Sequence, residues 1–503
     1  MAEYKYGAYG ELEATAAQSA AQTGTAPVYV GLFPINLVRG YAAAGLTGKP
    51  VKLNNLVHAQ KTVGYSSDWA TFTGCEAIAA HFDNTKGNIG PIYVINVLDP
   101  AVNRKQQITA VSLAFSAGRA TLDSSKIILD TLKLVKKAAE DEDPAEYYVE
   151  GEDYVVDYNF TTSKVVISSV DSDNPITGTV GAEFYEIDAT AITSTDIIGG
   201  VTASGVYSGL GCLKLMFPEL GVVPNLIACP GWSHIPAVYN AMITAAQKIN
   251  GHWYSFVLAD IPLTDSEGAA IDTIAKAIAW KAANGYISEF SKVYWPQGAD
   301  NTGRVFHLST MAAVELMRAD QLHNEVPMET CGNKTVPLIK QYLGASYNGN
   351  GFDKEASLEL TQNGISTLIS WSGVVLWGDH TAAYKYGTDV DPRSIFDVSI
   401  RMIEHIINGF QTRHLSDIDE PMSLAKKDEI VNEEQEILDS YAAMGALLGE
   451  PTILFLESEN STTDLMNGDF KWSIPVTPTP PLKSATAGVS YTDDGFESYF
   501  EEV

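Results

Sequence analysis

The sequence is poor in cysteine, in positive charge and in long apolar runs, and each shortage removes a class of protein. Four cysteines in 503 residues (Cys75, Cys212, Cys229, Cys331) lie too far apart for a C-x-x-C metal or redox pair and are too few to staple a chain of this size. They read as buried thiols of a reducing compartment. Only 32 Lys and Arg stand against 62 Asp and Glu, a formal net charge of −30. Nucleic acid and anionic membrane surfaces need clustered cations to displace counterions, so neither is expected as a partner. No stretch reaches the ~18 consecutive apolar residues of a membrane span. The opening MAEYKYGAYGELEA has no basic patch ahead of an apolar run, so no export signal is read there.

Motifs that carry chemistry are scarce too. Nine histidines include no HExxH and no i, i+4 pair, and neither GxxxxGK[ST] nor GxGxxG occurs to cradle a phosphate. Asp171-Ser-Asp173-Asn174 starts like a calcium loop, but Pro175 follows and the required glycine and glutamate are missing, so it reads as a turn. No metal or cofactor is expected. One constellation invites an enzymatic reading: Cys229, Ser233 and His234 follow one expected strand and Asp260 the next, as nucleophile, base and orienter of an α/β hydrolase or transferase would. Against it, no GxSxG elbow exists, and Cys-Pro-Gly leaves no helix N-terminus behind the sulfur to activate it.

What is present is apolar bulk, 45% of the residues, enough for several cores and about three domains at roughly 150 residues each. Residues 1–26 alternate Tyr-Gly with EATAAQSAAQTGTA, too small to build a core, and read as an arm. From Pro27 the pattern turns α/β: PVYVGLF reads as a buried strand, Trp69–Phe82 as a helix, and IYVINV as another strand. Residues 101–199 switch to period two and form an inserted antiparallel β domain, placed outside with its ends close together. Its acidic run DEDPAEYYVEGED reads as a solvated loop.

The α/β domain of residues 27–100 resumes over 200–350. NLIAC is a strand, followed by a helix begun at Pro236 with Val238, Met242, Ala246 and Ile249 on one face; WYSFVLAD is the next strand, and Ile271, Ile274, Ile278 and Ala282 stripe the next helix. Such alternation implies a parallel sheet. Residues 351–475 form a further domain: two strands in GISTLISWSGVVLWG, then a helix with Ile400, Ile403, Ile407 and Phe410 inward. A second helix follows from Ser423 to Leu448, with Ile430, Ile437, Tyr441 and Met444 inward and Asp428, Glu429, Glu433, Glu434, Glu436 and Asp439 outward. Strands TILFLE and FKWSIPV flank an expected hairpin at Asn467-Gly468-Asp469, and a stiff TPTPP spacer leads into a second arm, 476–503. The fold class is α/β (α+β), multidomain, with an α/β core, an inserted antiparallel β domain and extended arms at both ends.

Six segments, in order, carry a resemblance: PVYVGLFPINLVRG, IYVINVLDP, VPNLIACPGWSHIPAVYNAMITAAQKINGHWYSFVLADIP, NGISTLISWSGVVLWGDHT, RSIFDVSIRMIEHIINGFQTRHL and AAMGALLGEP. Together they resemble the tail sheath proteins of contractile phage tails and of related phage-tail-like bacteriocins, over most of the chain outside residues 101–199. Such sheaths often carry an arginine after the WG turn, where this chain has Asp379-His380-Thr381.

The resemblance implies a structural, non-enzymatic subunit that polymerises helically around an inner tube, six copies to a ring, and contracts to drive the tube through a bacterial envelope. It implies neighbouring copies, the tube protein, baseplate and terminator or collar proteins as partners, in a virion tail or tail-like particle assembled in the host cytoplasm. An open helical array requires heterologous contacts, which donated strands supply. Val28, Tyr29 and Val30 with the preceding arm, and Thr486, Val489, Tyr491 and Phe496, are the expected exchanged strands. The acidic helix, through Asp428, Glu429, Glu433, Glu434 and Glu436, is expected to face the tube. The hydrolase reading and a non-contractile surface-layer protein are the alternatives.

Overall fold

The computed structural model describes residues 24–137, 145–347, 349, 351–371 and 373–499. An eight-stranded sheet forms its centre. Strands β1 (Pro27–Gly31) and, later, β3 (Ile92–Asn96) have no polar alternation and are buried at every residue, as strands covered on both faces must be. They are joined by β2 (Pro50–Leu53), β4 (Leu226–Ala228), β5 (Phe256–Asp260), β6 (Ser291–Tyr294), β7 (Ile365–Ser370) and β8 (Val374–Trp377) in the order β2-β3-β1-β4-β5-β6-β7-β8. The inner six are parallel, and both edge strands are antiparallel to their neighbours.

Alternate residues feed two cores. Tyr29, Val94 and Leu258 pack with α1 (Cys75–Phe82) and, further along, α4 (Leu308–Leu322), while Val28, Val30 and Val257 pack on the other face with α2 (Pro236–Ala246). Helix α3 (Ile274–Ala283) covers the β5–β7 side of the sheet, where Ala259, Val293 and Ile365 meet Ala277. β7 and β8, read from sequence as part of the domain beginning at residue 351, add to this same sheet.

Residues 109–184 make two small antiparallel sheets around Leu113, Leu134, Val165, Ile167 and Phe184. The strands entering and leaving this module are tied together, Asp188 N donating to Asn103 O at 2.9 Å and Lys105 N to Glu186 O at 2.9 Å. Part of the acidic run, residues 141–144, falls outside the described residues.

Two long helices follow the sheet, α5 (Asp397–Arg413) and α6 (Leu424–Ala443), around Met402, Ile406, Leu438 and Tyr441. The expected hairpin at Asn467-Gly468 is instead a short helix, Thr462–Asn467: Ser461 and Asp464 close a capping box at its start, and Gly468 ends it at φ 85°. The flanking segments do meet, through paired bonds of 2.8 Å between Leu454 and Ser473. Where the resemblance leads one to expect an arginine after the WG turn, Asp379 stands, and the cation at that turn comes from the sheet: Lys292 Nζ donates to Gly378 O at 2.9 Å.

Candidate functional site

The strand ends that suggested catalysis hold a polar knot. Cys229 is fully buried just past β4, and burial pushes its thiol up from its ordinary value. Ser233 Oγ donates to Asp260 Oδ2 at 3.2 Å and accepts from Asp260 N at 3.0 Å, while Ser309 N donates to Asp260 Oδ1 at 3.0 Å. Asp260 therefore fastens the starts of α2 and α4 to the end of β5. Among the described residues, no hydrogen bond joins His234 to Ser233 or Asp260.

A second histidine near this knot is His307, which sequence reasoning passed over because its partner lies 231 residues away. Its backbone N–H and Nδ1 meet the two oxygens of Glu76 at 2.6 and 2.7 Å. Burial disfavours the imidazolium, but the Glu76 charge and hydrogen bond, aided by Asp260, outweigh it and hold the pKa up to about 9. A folded pKa above the unfolded value of about 6.5 stabilises the fold fully below pH 6.5, and that contribution fades as pH rises toward 9. The stability difference between the wild type and His307→Gln should therefore be flat below pH 6.5 and shrink from 6.5 to 9; denaturant titrations across that range would refute this if the difference grew.

The two expected exchange segments fare differently. Val28, Tyr29 and Val30 are 0% exposed in the middle of the sheet, paired with Leu226–Ala228 on one side and Tyr93–Ile95 on the other. Both backbone edges are used within the chain, so the expectation that this segment passes to a neighbour is corrected. The arm ahead of it, residues 1–23, lies outside the described residues.

At the other end, Thr479 N still bonds Ala446 O at 3.0 Å, and the Lys483 ammonium sits 5.2 Å from the centre of the Tyr384 ring. From Ser484 to Tyr491 no backbone hydrogen bond to the body occurs among the described residues. Thr486 is exposed, Val489 94% and Tyr491 84% so, and Phe496 about half. A proline spacer thus carries a segment that the subunit itself leaves uncovered, irregular from Ser484 to Tyr491 and, against the expected strand, a short 3-10 helix over Asp494–Tyr499 that contains Phe496.

The body leaves an apolar groove open. Ile403, Ile407 and Phe410, expected to face inward, are only half-buried, because α5 instead buries the face carrying Arg401, Glu404 and Asn408. With Trp472, Ile474 and Val476 they line a groove of about 300 Å³, and the Trp472 indole N–H has no partner.

On α6, Asp428, Glu429, Glu433 and Glu436 are exposed as expected, but Glu434 is not. It is 1% exposed and takes two bonds of 2.7 Å from the Arg413 guanidinium and one of 2.9 Å from His414 Nε2. Burial would raise its carboxyl, but these hydrogen bonds and charges win and hold it below its ordinary value. Glu434 is therefore a fastening between α5 and α6 and is removed from the tube-facing set. Glu434→Gln should cost about 2 kcal/mol of stability, whereas Glu433→Lys should leave it within about 0.5 kcal/mol; chemical denaturation of both variants checks the contrast.

No model of a known protein family matches the chain. It is 26% identical over 495 residues to the tail sheath protein of Burkholderia phage BcepMu, covering 94% of this chain and 95% of that one. It is also 26% identical over 151 residues to the major tail sheath protein of Serratia phage KSP20, covering 30% and 36%. In fold it is similar to a chain of the sixfold-symmetrised anti-feeding prophage baseplate, with TM-score 0.54, 15% identity and coverage of 98% and 100%. A chain of the contracted PVC sheath complex, an extracellular contractile injection system, gives TM-score 0.52, 12% identity and coverage of 99% of each. The chain is thus similar in sequence to a phage tail sheath protein along nearly its full length, and similar in fold to chains of contractile injection systems across nearly the whole chain.

Proposed function

We propose that this chain is the structural subunit of a contractile sheath that polymerises helically around an inner tube and shortens to drive the tube through a bacterial envelope. The observation that carries the reading is the pairing, in one molecule, of a C-terminal segment that leaves Val489, Tyr491 and Phe496 exposed with an uncovered apolar groove on the body. Donor and acceptor are different surfaces of one subunit, which gives an open, head-to-tail array rather than a closed dimer. A strand held by backbone hydrogen bonds and joined through TPTPP stays attached while bodies turn against one another.

The body suits rigid rotation, since one sheet runs from Pro27 to Trp377 and both long helices are pinned to it or to each other. With no phosphate-cradling motif in the sequence, the stroke draws on interface energy; about 1–3 kcal/mol per subunit suffices when many copies switch together. Neighbouring copies, six to a ring, are the first partners. The tube faces the stripe Asp428, Glu429, Glu433 and Glu436, whose exposed charges are individually worth ~0–1 kcal/mol and so permit sliding. Baseplate and terminator proteins close the ends of a particle assembled in the host cytoplasm, and the subunit acts without catalysis. Negative-stain microscopy of the purified protein tests this: helical tubes or short wide cylinders are expected, a uniform small oligomer would favour the hydrolase reading, and flat lattices a surface layer.

A further inference from the structure

The C-terminal arm leaves the body beside a buried histidine. Thr479 is fastened to the end of α6, its backbone N–H to Ala446 O at 3.0 Å and its hydroxyl to Gly445 O at 2.7 Å. The spacer then crosses to the turn after β8, where Pro481, Leu482 and Lys483 line a pocket of about 170 Å³ together with Trp377 and Asp379. Lys483 makes the last anchor: its Nζ donates to the Tyr384 hydroxyl at 3.5 Å and stands 5.2 Å from the ring centre. That ring is stacked on His380, centroids 3.5 Å apart and 8° from parallel, and Phe396 stacks on the same imidazole at 5.2 Å and 17°. His380 is 2% exposed.

The two nitrogens of this imidazole differ in their surroundings. Nδ1 lies 2.9 Å from Ile395 O, and a carbonyl only accepts, so Nδ1 carries the proton of the neutral ring. Nε2 is left with a bare lone pair, and among the described residues it has no hydrogen-bond partner although it is buried. Asp379 Oδ1 stands 3.5 Å from it, an acceptor facing an acceptor. A proton placed on Nε2 turns that opposition into a charge-assisted N–H···O bond.

Among the described residues, the charged groups that act on the ring are Asp379 beside it, Lys483 from the spacer and Lys292 from β6, the last already matched by Asp397 at 2.6 Å. Burial holds the His380 pKa below its ordinary value; Asp379 and the Ile395 carbonyl oppose it, and both lysines reinforce it. With the folded pKa below the unfolded value of about 6.5, the packed arrangement keeps its full stability above pH 6.5 and loses it as pH falls through the folded pKa.

The coupling runs both ways: the ammonium that discourages a proton on His380 is discouraged by that proton in equal measure. Drawing Asp379 toward Nε2 also takes from Lys483 the carboxylate that lines its pocket. We propose that Asp379 and His380 form a proton-operated latch on the arm: with His380 neutral Lys483 is seated and the free arm starts at Ser484, and with a proton on Nε2 the seat is lost and the free arm starts after Thr479. The inference rests on the sheath reading only for what the arm is for; the latch itself is local to one subunit.

All four native cysteines are buried, so Ser484→Cys takes a nitroxide spin label selectively. On dilute soluble protein its paramagnetic resonance spectrum should be slow at pH 8 and at least about threefold faster in rotational correlation time at pH 5. The midpoint should lie below about 6.5. His380→Phe, which keeps the stack and takes no proton, should hold the slow spectrum at both pH values, whereas Lys483→Ala, an exposed change that leaves the core alone, should be fast at both. A wild-type spectrum indifferent to pH, or the same step in His380→Phe or in Lys483→Ala, overturns the latch. None of these readings needs tubes, so a failed latch leaves the sheath reading standing, and a working latch in a protein that builds no tubes sinks that reading alone.

Discussion

A chain ending at Lys483 should fold and melt like the full-length protein and yet build no sheath. Among the described residues removed, Val489, Tyr491 and Phe496 are exposed, and the contacts that Pro481, Leu482 and Lys483 make with the body are kept by the truncation. Stability is thus unaffected within about 0.5 kcal/mol, the usual effect of surface changes. If this arm donates a strand as proposed, assembly should be lost with it, because the truncation removes the ladder of backbone bonds to the neighbour. Calorimetry and electron microscopy on one preparation decide it. Normal tubes from the truncated chain would refute strand donation by this arm.

Asp397→Ala should be among the most damaging single changes in the molecule. Lys292 leaves the sheet at β6 and reaches Asp397 Oδ2 at 2.6 Å, with neither side chain exposed at all. Burial alone would lower its pKa, but the Asp397 charge, with its hydrogen bond, outweighs that and keeps the ammonium above its ordinary value. Thr330 Oγ1 at 3.1 Å, Gly378 O at 2.9 Å and Cys331 Sγ at 3.6 Å also accept from it, and Asp397 Oδ1 accepts from Val398 N at 2.7 Å in the first turn of α5. The pair therefore welds the helix bearing the groove to the sheet.

Removing one partner strands a charge in the interior, at about 3–5 kcal/mol, whereas replacing both by apolar residues of similar volume is far milder. Denaturant unfolding should rank the variants accordingly: Asp397→Ala well below wild type, and Lys292→Met/Asp397→Leu recovering most of the loss. A double variant as unstable as the sum of its singles would contradict the ion-pair account.

The parallel core was legible because its strands say so locally. PVYVG, IYVIN and FVLAD carry no polar alternation, and the caps at Pro236 and the Asn-Gly stops mark the helices between. The same legibility argued against strand donation by Val28–Val30, since an unbroken apolar run is the mark of a central strand, which has no free edge. Glu434 was readable too: Ile430, Glu434, Leu438 and Tyr441 fall on one stripe at spacings of four and three, so the acid sits on the buried side. The Ser461-x-x-Asp464 box signalled a helix where Asn-Gly suggested a hairpin.

What could not be read are the long-range polar partnerships. Arg413 meets Glu434 across 21 residues, Asp320 meets Arg401 across 81, and Lys292 meets Asp397 across 105. Nothing in the neighbourhood of either member announces the other, because the tertiary fold and not the local sequence brings them together. The groove was hidden for a related reason: the apolar stripe of α5 looked like core throughout, and only the packed structure reveals that Ile403, Ile407 and Phe410 are half-buried while Arg401, Glu404 and Asn408 are buried.

The central claim is that the far end of each copy belongs to another copy. Cryo-electron microscopy of assembled particles, with the chain traced continuously from Thr479 through the proline spacer, tests it most directly. The account predicts residues 486–496 laid as a strand beside Trp472–Val476 of an adjacent subunit, over Ile403 and Phe410. Finding that strand seated on the groove of its own molecule would contradict it.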